Sequence, residues 1–188
     1  MTTNIFEVVI GRDQLRWDAV WRVIEWLAEP AEGHALERQF QAKLSEFCLG
    51  TAAEPIAIEV EYYLGKDADD RSRHPDLVVA HPDLRKPKSI ALIDDLGVCS
   101  PNSMRKIRNL LVYAEMSASK FPNADRRIVV ITDTTQVEKF VKLNEAFASN
   151  TLASLSYLPL QVIGSWISEM GRPKERIVED FVEWSTSL

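Results

Sequence analysis

Two short stretches decide how this chain reads: Arg73-His74-Pro75-Asp76-Leu77-Val78-Val79 and, further along, Ile90-Ala91-Leu92-Ile93-Asp94-Asp95-Leu96-Gly97. Each sets an acidic residue at one end of a short apolar run, and such a run reads as a buried strand. Should the two strands pair side by side, Asp76 and Asp94 meet at one edge of a sheet. Two carboxylates on rigid backbone suit a hard divalent cation, because Mg²⁺ takes oxygen ligands and keeps several waters.

The surrounding pattern supplies the rest of a sheet. Ile56–Tyr63 alternates, with Ile56, Ile58, Val60 and Tyr62 on one face, as a half-buried strand does. Leu64–Arg73 is polar and reads as a loop. Asp76–Ala80 forms the second strand and His81-Pro82-Asp83 turns the chain. Ser89–Leu96 is apolar on both faces and therefore central. Before these strands, His34–Phe47 has a helical stripe of Leu36, Phe40, Leu44 and Phe47, with Gly50 where a C-terminal cap belongs. After them, Asn102–Ser119 carries Met104, Ile107, Leu110, Leu111 and Ala114 at helical spacing, and Ile128–Thr132 is a fourth strand.

Three consecutive strands with short links form an antiparallel meander, whereas a helix between the third and fourth favours parallel pairing there. The expected class is mixed α/β, with helices on both sides of one sheet. An N-terminal strand and helix (1–30) and a C-terminal strand and helix (155–188) are additions to a core spanning about 33–132. The last strand is expected near Leu155–Ile163 and the last helix near Lys174–Trp184, while Asp133 or Thr134 caps a helix running to Ala148. No linker or repeat divides residues 1–188, so a single domain is expected.

Composition narrows the classes. Hydrophobic residues make up 46% and charged residues 27% of the 188 positions, which is ordinary for a soluble globular chain. No apolar run approaches the length of a membrane helix, and the N-terminus lacks a secretory pattern, so a cytoplasmic location is expected. Cys48 and Cys99 have no metal-ligand spacing and read as reduced thiols. The net charge of −6 weighs against a nucleic-acid binder, which normally shows phosphates a basic face. No Gly-rich phosphate loop, Gly-x-Ser-x-Gly elbow or Cys–His pair suggests another enzyme class.

The element order together with Pro75-Asp76 and Ala91-Leu92-Ile93-Asp94 resembles the PD-(D/E)XK nuclease superfamily, the restriction-endonuclease-like enzymes. That resemblance implies an αβββαβ core and a Mg²⁺ or Mn²⁺ ion held by Asp76 and Asp94, with Glu37 on the preceding helix as a further acid. It also implies hydrolysis of DNA phosphodiesters. The chain departs from the pattern at the motif lysine. With Asp94 as the acid, the lysine position is Leu96; with Asp95 as the acid, it is Gly97. The replacement cation is sought on the following helix, where Lys106 shares a face with Asn102, Asn109 and Tyr113. Arg105 and Arg108 beside it are candidates for phosphate binding.

Plainer readings stand beside these. Asp76 can simply open a strand, Asp94-Asp95 can close one, and Glu37 beside Arg38 can face water. The missing lysine, the acidic net charge and the tryptophan-rich N-terminal helix (Trp17, Trp21, Trp26) also fit a catalytically silent nuclease-fold module that works through a protein partner or a homodimer. Most of the tryptophans are expected in the core, any exposed ones at an interface.

Overall fold

The structure, a computed structural model, describes residues 21–25, 27–28, 35–50, 55–95, 103–132 and 137–169. Residues 21–25 and 27–28 are helical. The elements that follow are α1 (Ala35–Leu49), β1 (Ala57–Val60), β2 (Gly65–Lys66), β3 (Ser72–Arg73), β4 (Leu77–His81) and β5 (Ser89–Asp95). Then come α2 (Ser103–Lys120), β6 (Asp125–Thr132), α3 (Val137–Phe147), β7 (Ser154–Pro159) and α4 (Leu160–Glu169).

Five strands form one sheet in the order β1-β4-β5-β6-β7, and β2 pairs with β3 in a separate hairpin. The β1–β4 and β4–β5 pairings are antiparallel, whereas β5–β6 and β6–β7 are parallel. The mixed α/β class is therefore observed. The change from antiparallel to parallel falls at β5, where α2 replaces a tight turn as the connection.

β5 is central because its side chains are buried on both faces from Ile90 to Asp95. Successive residues of a strand point to opposite faces. Leu77, Val79, Ala91, Ile93, Val129 and Ile131 accordingly pack into one layer with Phe40 and Leu44 of α1 and Ile163 and Ile167 of α4. Trp21, Ile24 and Leu27 of the N-terminal helical residues complete that layer. Val78, Ala80, Ile90, Leu92, Ile128 and Val130 point the other way, onto Ile107, Leu110 and Ala114 of α2 and Leu143 of α3. Cys48 lies in the first layer, where burial pushes its thiol pKa up against the pull of Arg127. A thiol so placed is inert as a nucleophile.

Two expected elements differ. The polar stretch Leu64–Arg73, expected as loop, contains the β2–β3 hairpin. Its turn is shaped by Asp67, whose Oδ1 accepts the backbone N–H groups of Asp69 and Arg71 at 2.9 Å each. Asp70 takes a left-handed φ of 60° and Gly65 a φ of 140°. Side-chain turn chemistry shapes this hairpin, so hydrophobic periodicity could not show it. The strand expected over Leu155–Ile163 ends instead at Pro159, and α4 starts immediately at Leu160. Leu160, Ile163, Gly164 and Ile167 are buried at helical spacing, and that period overrides the β-branched composition. The expected N-terminal strand, the Asp133 cap and the helix near Lys174–Trp184 lie outside the described residues. No helix among the described residues is long and apolar enough to cross a membrane.

Phe40 is fully buried and meets Trp166 edge-on with ring centroids 6.3 Å apart. Phe40→Ala is expected to cost about 3–5 kcal/mol in urea-monitored unfolding, from lost transfer energy and the cavity left behind. A loss below about 1 kcal/mol would contradict the packing of α1 on this face.

Candidate metal centre

The register decides where the acids go. Leu77 pairs with Ile93 across the antiparallel β4–β5 ladder, so continuing one step brings Asp76 opposite Asp94. Both belong to the face covered by α2, as Val78 and Leu92 do. Oxygens of Asp76, Asp94 and Asp95 lie within 4.8 Å of one another. Asp94 and Asp95 are 4% and 6% exposed, and Asp76 is half-buried.

A cation meets them from α2. Lys106 Nζ stands 3.2 Å from Asp94 Oδ1 and 3.3 Å from Asp95 Oδ1. Asp94 Oδ1 also accepts the backbone N–H of Asp95 at 2.8 Å. The other oxygen of Asp95, Oδ2, accepts the indole N–H of Trp21 at 2.5 Å. Adjacent residues at the end of β5 thus reach into different layers, one toward α2 and one toward the N-terminal helical residues, and Lys106 bridges them. Tyr113 lies beside Asp94 and Asp76 and donates its hydroxyl to the His74 carbonyl at 3.0 Å. That bond ties α2 to the turn leading into Asp76.

The electrostatics follow from crowding like charges in a poorly hydrated place. Burial, and then the neighbouring Asp94, push the Asp76 carboxyl up to about 9. In the absence of a cation Asp76 therefore holds a proton at neutral pH. Burial alone would lower the Lys106 pKa, but Asp94, Asp95 and Asp76 outweigh it and raise it, keeping the ammonium charged. Burial, followed by Asp94 and Asp76, raises the Tyr113 hydroxyl as well, so it remains a donor.

With all three acids ionised, Lys106 leaves two negative charges, which one divalent ion would cancel. Two oxygens each about 2.1 Å from Mg²⁺ are at most about 4.2 Å apart. Only one pair of ligands can sit opposite each other and the other pairs must approach to about 3.0 Å, so the acid group, whose oxygens lie within 4.8 Å of one another, needs to close around the ion or to hold one carboxylate through water. Hard oxygen donors of this kind suit Mg²⁺ or Mn²⁺. The residues present fit such an ion.

Of the residues singled out in the sequence, Asp76, Asp94 and Lys106 come together. Glu37 sits in α1, but its side chain lies outside the described residues. Arg105 and Arg108 are exposed on the neighbouring side of α2, where they line a cleft of about 600 Å³ with Lys66, Arg71 and Arg73 of the hairpin. Arg73 is held there by Asp67, through Nε at 2.7 Å, and by Asn109 Oδ1, also at 2.7 Å. Sequence reasoning weighed Asp94 against Asp95 as alternatives, and the fold brings both to the cluster. Trp21 reads in the sequence as core or interface; its bond to Asp95 spans 74 residues, and no local signal announces it.

No family model matches this chain, and no curated protein or solved structure matches it significantly.

Asp76 gives the site a pH signature. Its pKa is about 9 in the folded chain against 3.8 for an ordinary aspartate, so between those values the folded state holds a proton the unfolded state has lost. Stability from this group therefore falls as pH rises across that window. Asp76→Asn removes the fall. In EDTA its melting temperature should exceed that of the natural protein by roughly 3–6 °C at pH 8, and by clearly less at pH 5. A difference independent of pH in calorimetric melts would refute a proton shared at this site.

Proposed function

We propose that the chain is a metal-dependent phosphodiesterase acting on DNA, with Asp76 and Asp94 as the ion's ligands and Asp95 beside them. The observation that carries this reading is the ammonium of Lys106 poised over two carboxylates, with a third acid within reach. This supplies from α2 the cation that the end of β5 lacks, and it matches the resemblance to PD-(D/E)XK nucleases. Mg²⁺ or Mn²⁺, when bound, supplies a water of lowered pKa and polarises a phosphate oxygen.

The protein's own groups have distinct tasks. Asp76 gives up its proton as it becomes a ligand, so ion binding tightens with rising pH. Asp94 is oriented by the Asp95 N–H and by Lys106. With its partner carboxylates turned to a ligand, the Lys106 ammonium would be free of part of its pairing and could donate to the attacking water or to a phosphoryl oxygen gaining charge. Trp21 and Lys106 together fix Asp95. Arg105 and Arg108, which line the cleft beside this end of α2, would meet the phosphates flanking the scissile bond.

A second reading is favoured by the same Lys106. Paired with two carboxylates, it can close the cluster as a structural ion pair, leaving a silent interaction module that binds a protein partner or a second copy. The two readings separate experimentally. For the enzyme, Mn²⁺ binding is expected by calorimetry at pH 8, absent in Asp94→Asn and retained in Lys106→Met. Cleavage of DNA should require the ion, and Lys106→Met should lower kcat by about 10²–10³ with KM changed only a few-fold. Neither heat of binding nor cleavage at millimolar Mn²⁺ would leave the module.

A further inference from the structure

A second concentration of positive charge lies at the other end of α2. Lys120 ends that helix, and Arg85, Lys86 and Lys88 come from the β4–β5 connection facing it. They line a cleft of about 510 Å³ that contains no acidic residue, although the chain as a whole carries a net charge of −6.

Both walls are firmly built. Asp83 Oδ1 accepts the backbone N–H groups of Arg85 at 2.7 Å and Lys86 at 2.9 Å. Lys88 donates its N–H to the His81 carbonyl at 2.7 Å, and its own carbonyl accepts from Asp125 at 2.8 Å. On the facing wall, the Arg126 guanidinium binds the carbonyls of Phe121 and Ala124 at 2.7 and 2.8 Å and that of Leu152 at 2.9 Å. Lys120 Nζ binds the carbonyls of Tyr63 and Leu64 at 3.2 and 3.1 Å and lies over the Tyr62 ring. Lys120 is thereby fixed at the wall, and its charge adds to that of the cleft. The side chains of Arg85, Lys86 and Lys88 are exposed, and among the described residues none is within ion-pair distance of a carboxylate.

We propose that this cleft is a docking site for the phosphate backbone of a DNA duplex whose other end lies at the acidic cluster. The choice of DNA rests on the phosphodiesterase reading; the cleft's charge and rigidity do not. Lys106 and Lys120 are separated along α2 by about 21 Å, at 1.5 Å per residue. A duplex advances about 3.4 Å per base pair, so the two ends of the helix are roughly six base pairs apart. Arg105 and Arg108 sit at the near end of the same helix, so cations bracket that span. The contacts made here are to phosphates and carry no sequence preference.

The test is binding of a fluorescein-labelled duplex of about 12 base pairs, long enough for both ends of α2, followed by anisotropy across a salt series in EDTA. The triple variant Arg85→Ala, Lys86→Ala, Lys88→Ala should bind at least about tenfold more weakly, with a log–log salt slope shallower by roughly 2–3. The charge-matched variant Arg22→Ala, Arg38→Ala, Lys142→Ala should bind as the natural protein does. Equal losses in the two triple variants, or no loss in the first, overturn the proposal. Poly-glutamate that competes as well as DNA per unit charge also overturns it, in favour of an acidic protein partner. Because the binding is read in EDTA it does not depend on an ion, so absence of cleavage at millimolar Mn²⁺ with this binding intact defeats the phosphodiesterase reading and leaves the docking site standing.

Discussion

Three carboxylates at the end of a strand otherwise walled by apolar side chains cannot all stay charged unless positive charge reaches them. This constraint organises the acidic end of the sheet. Like charges at such range repel strongly in a poorly hydrated site, and the system responds in two ways. One acid, Asp76, retains a proton, and the Lys106 ammonium is drawn against the other two. An arriving divalent ion would take the place of the proton on Asp76 and relieve Lys106 of part of its pairing.

The topology explains why Lys106 is the residue that arrives. β5 and β6 are parallel, so the chain leaving Asp95 must return to the start of the sheet before β6 can begin. α2 makes that return, and its first turns necessarily lie beside the end of β5 that carries the acids. Any residue of those turns on the sheet-facing side is a neighbour of Asp94. Ile107 and Leu110 take the buried positions. Lys106, one residue off that stripe, has a stem long enough to bring its head over the acids. The end of β5 carries no cation of its own, and the next element brings one to it.

Much of this was legible in the sequence, for identifiable reasons. The apolar runs of β4, β5 and β6 and the stripe of α2 are strong periodic signals, and they fix the order of elements. That order and the meander register bring Asp76 opposite Asp94. The face shared by Lys106 and Tyr113 on α2 was also readable, because it depends only on helical period. What could not be read depends on distant contacts or on turn chemistry. Trp21 looked like one more core aromatic, and its polar edge found Asp95 only through tertiary packing. The β2–β3 hairpin hides in a polar stretch where Asp67 does the work of a hydrophobic pattern. Leu160–Ile163 is β-branched enough to pass for strand, and only its continuation to Ile167 reveals a helix.

The indole of Trp21 is almost fully buried, yet its N–H ends on a carboxylate. The emission of a tryptophan shifts with the electric field along its ring, so this side chain is an optical gauge built into the acidic end of the sheet. Neutralising the charge on Asp95, whatever the agent, would change the colour of that light without any label being attached.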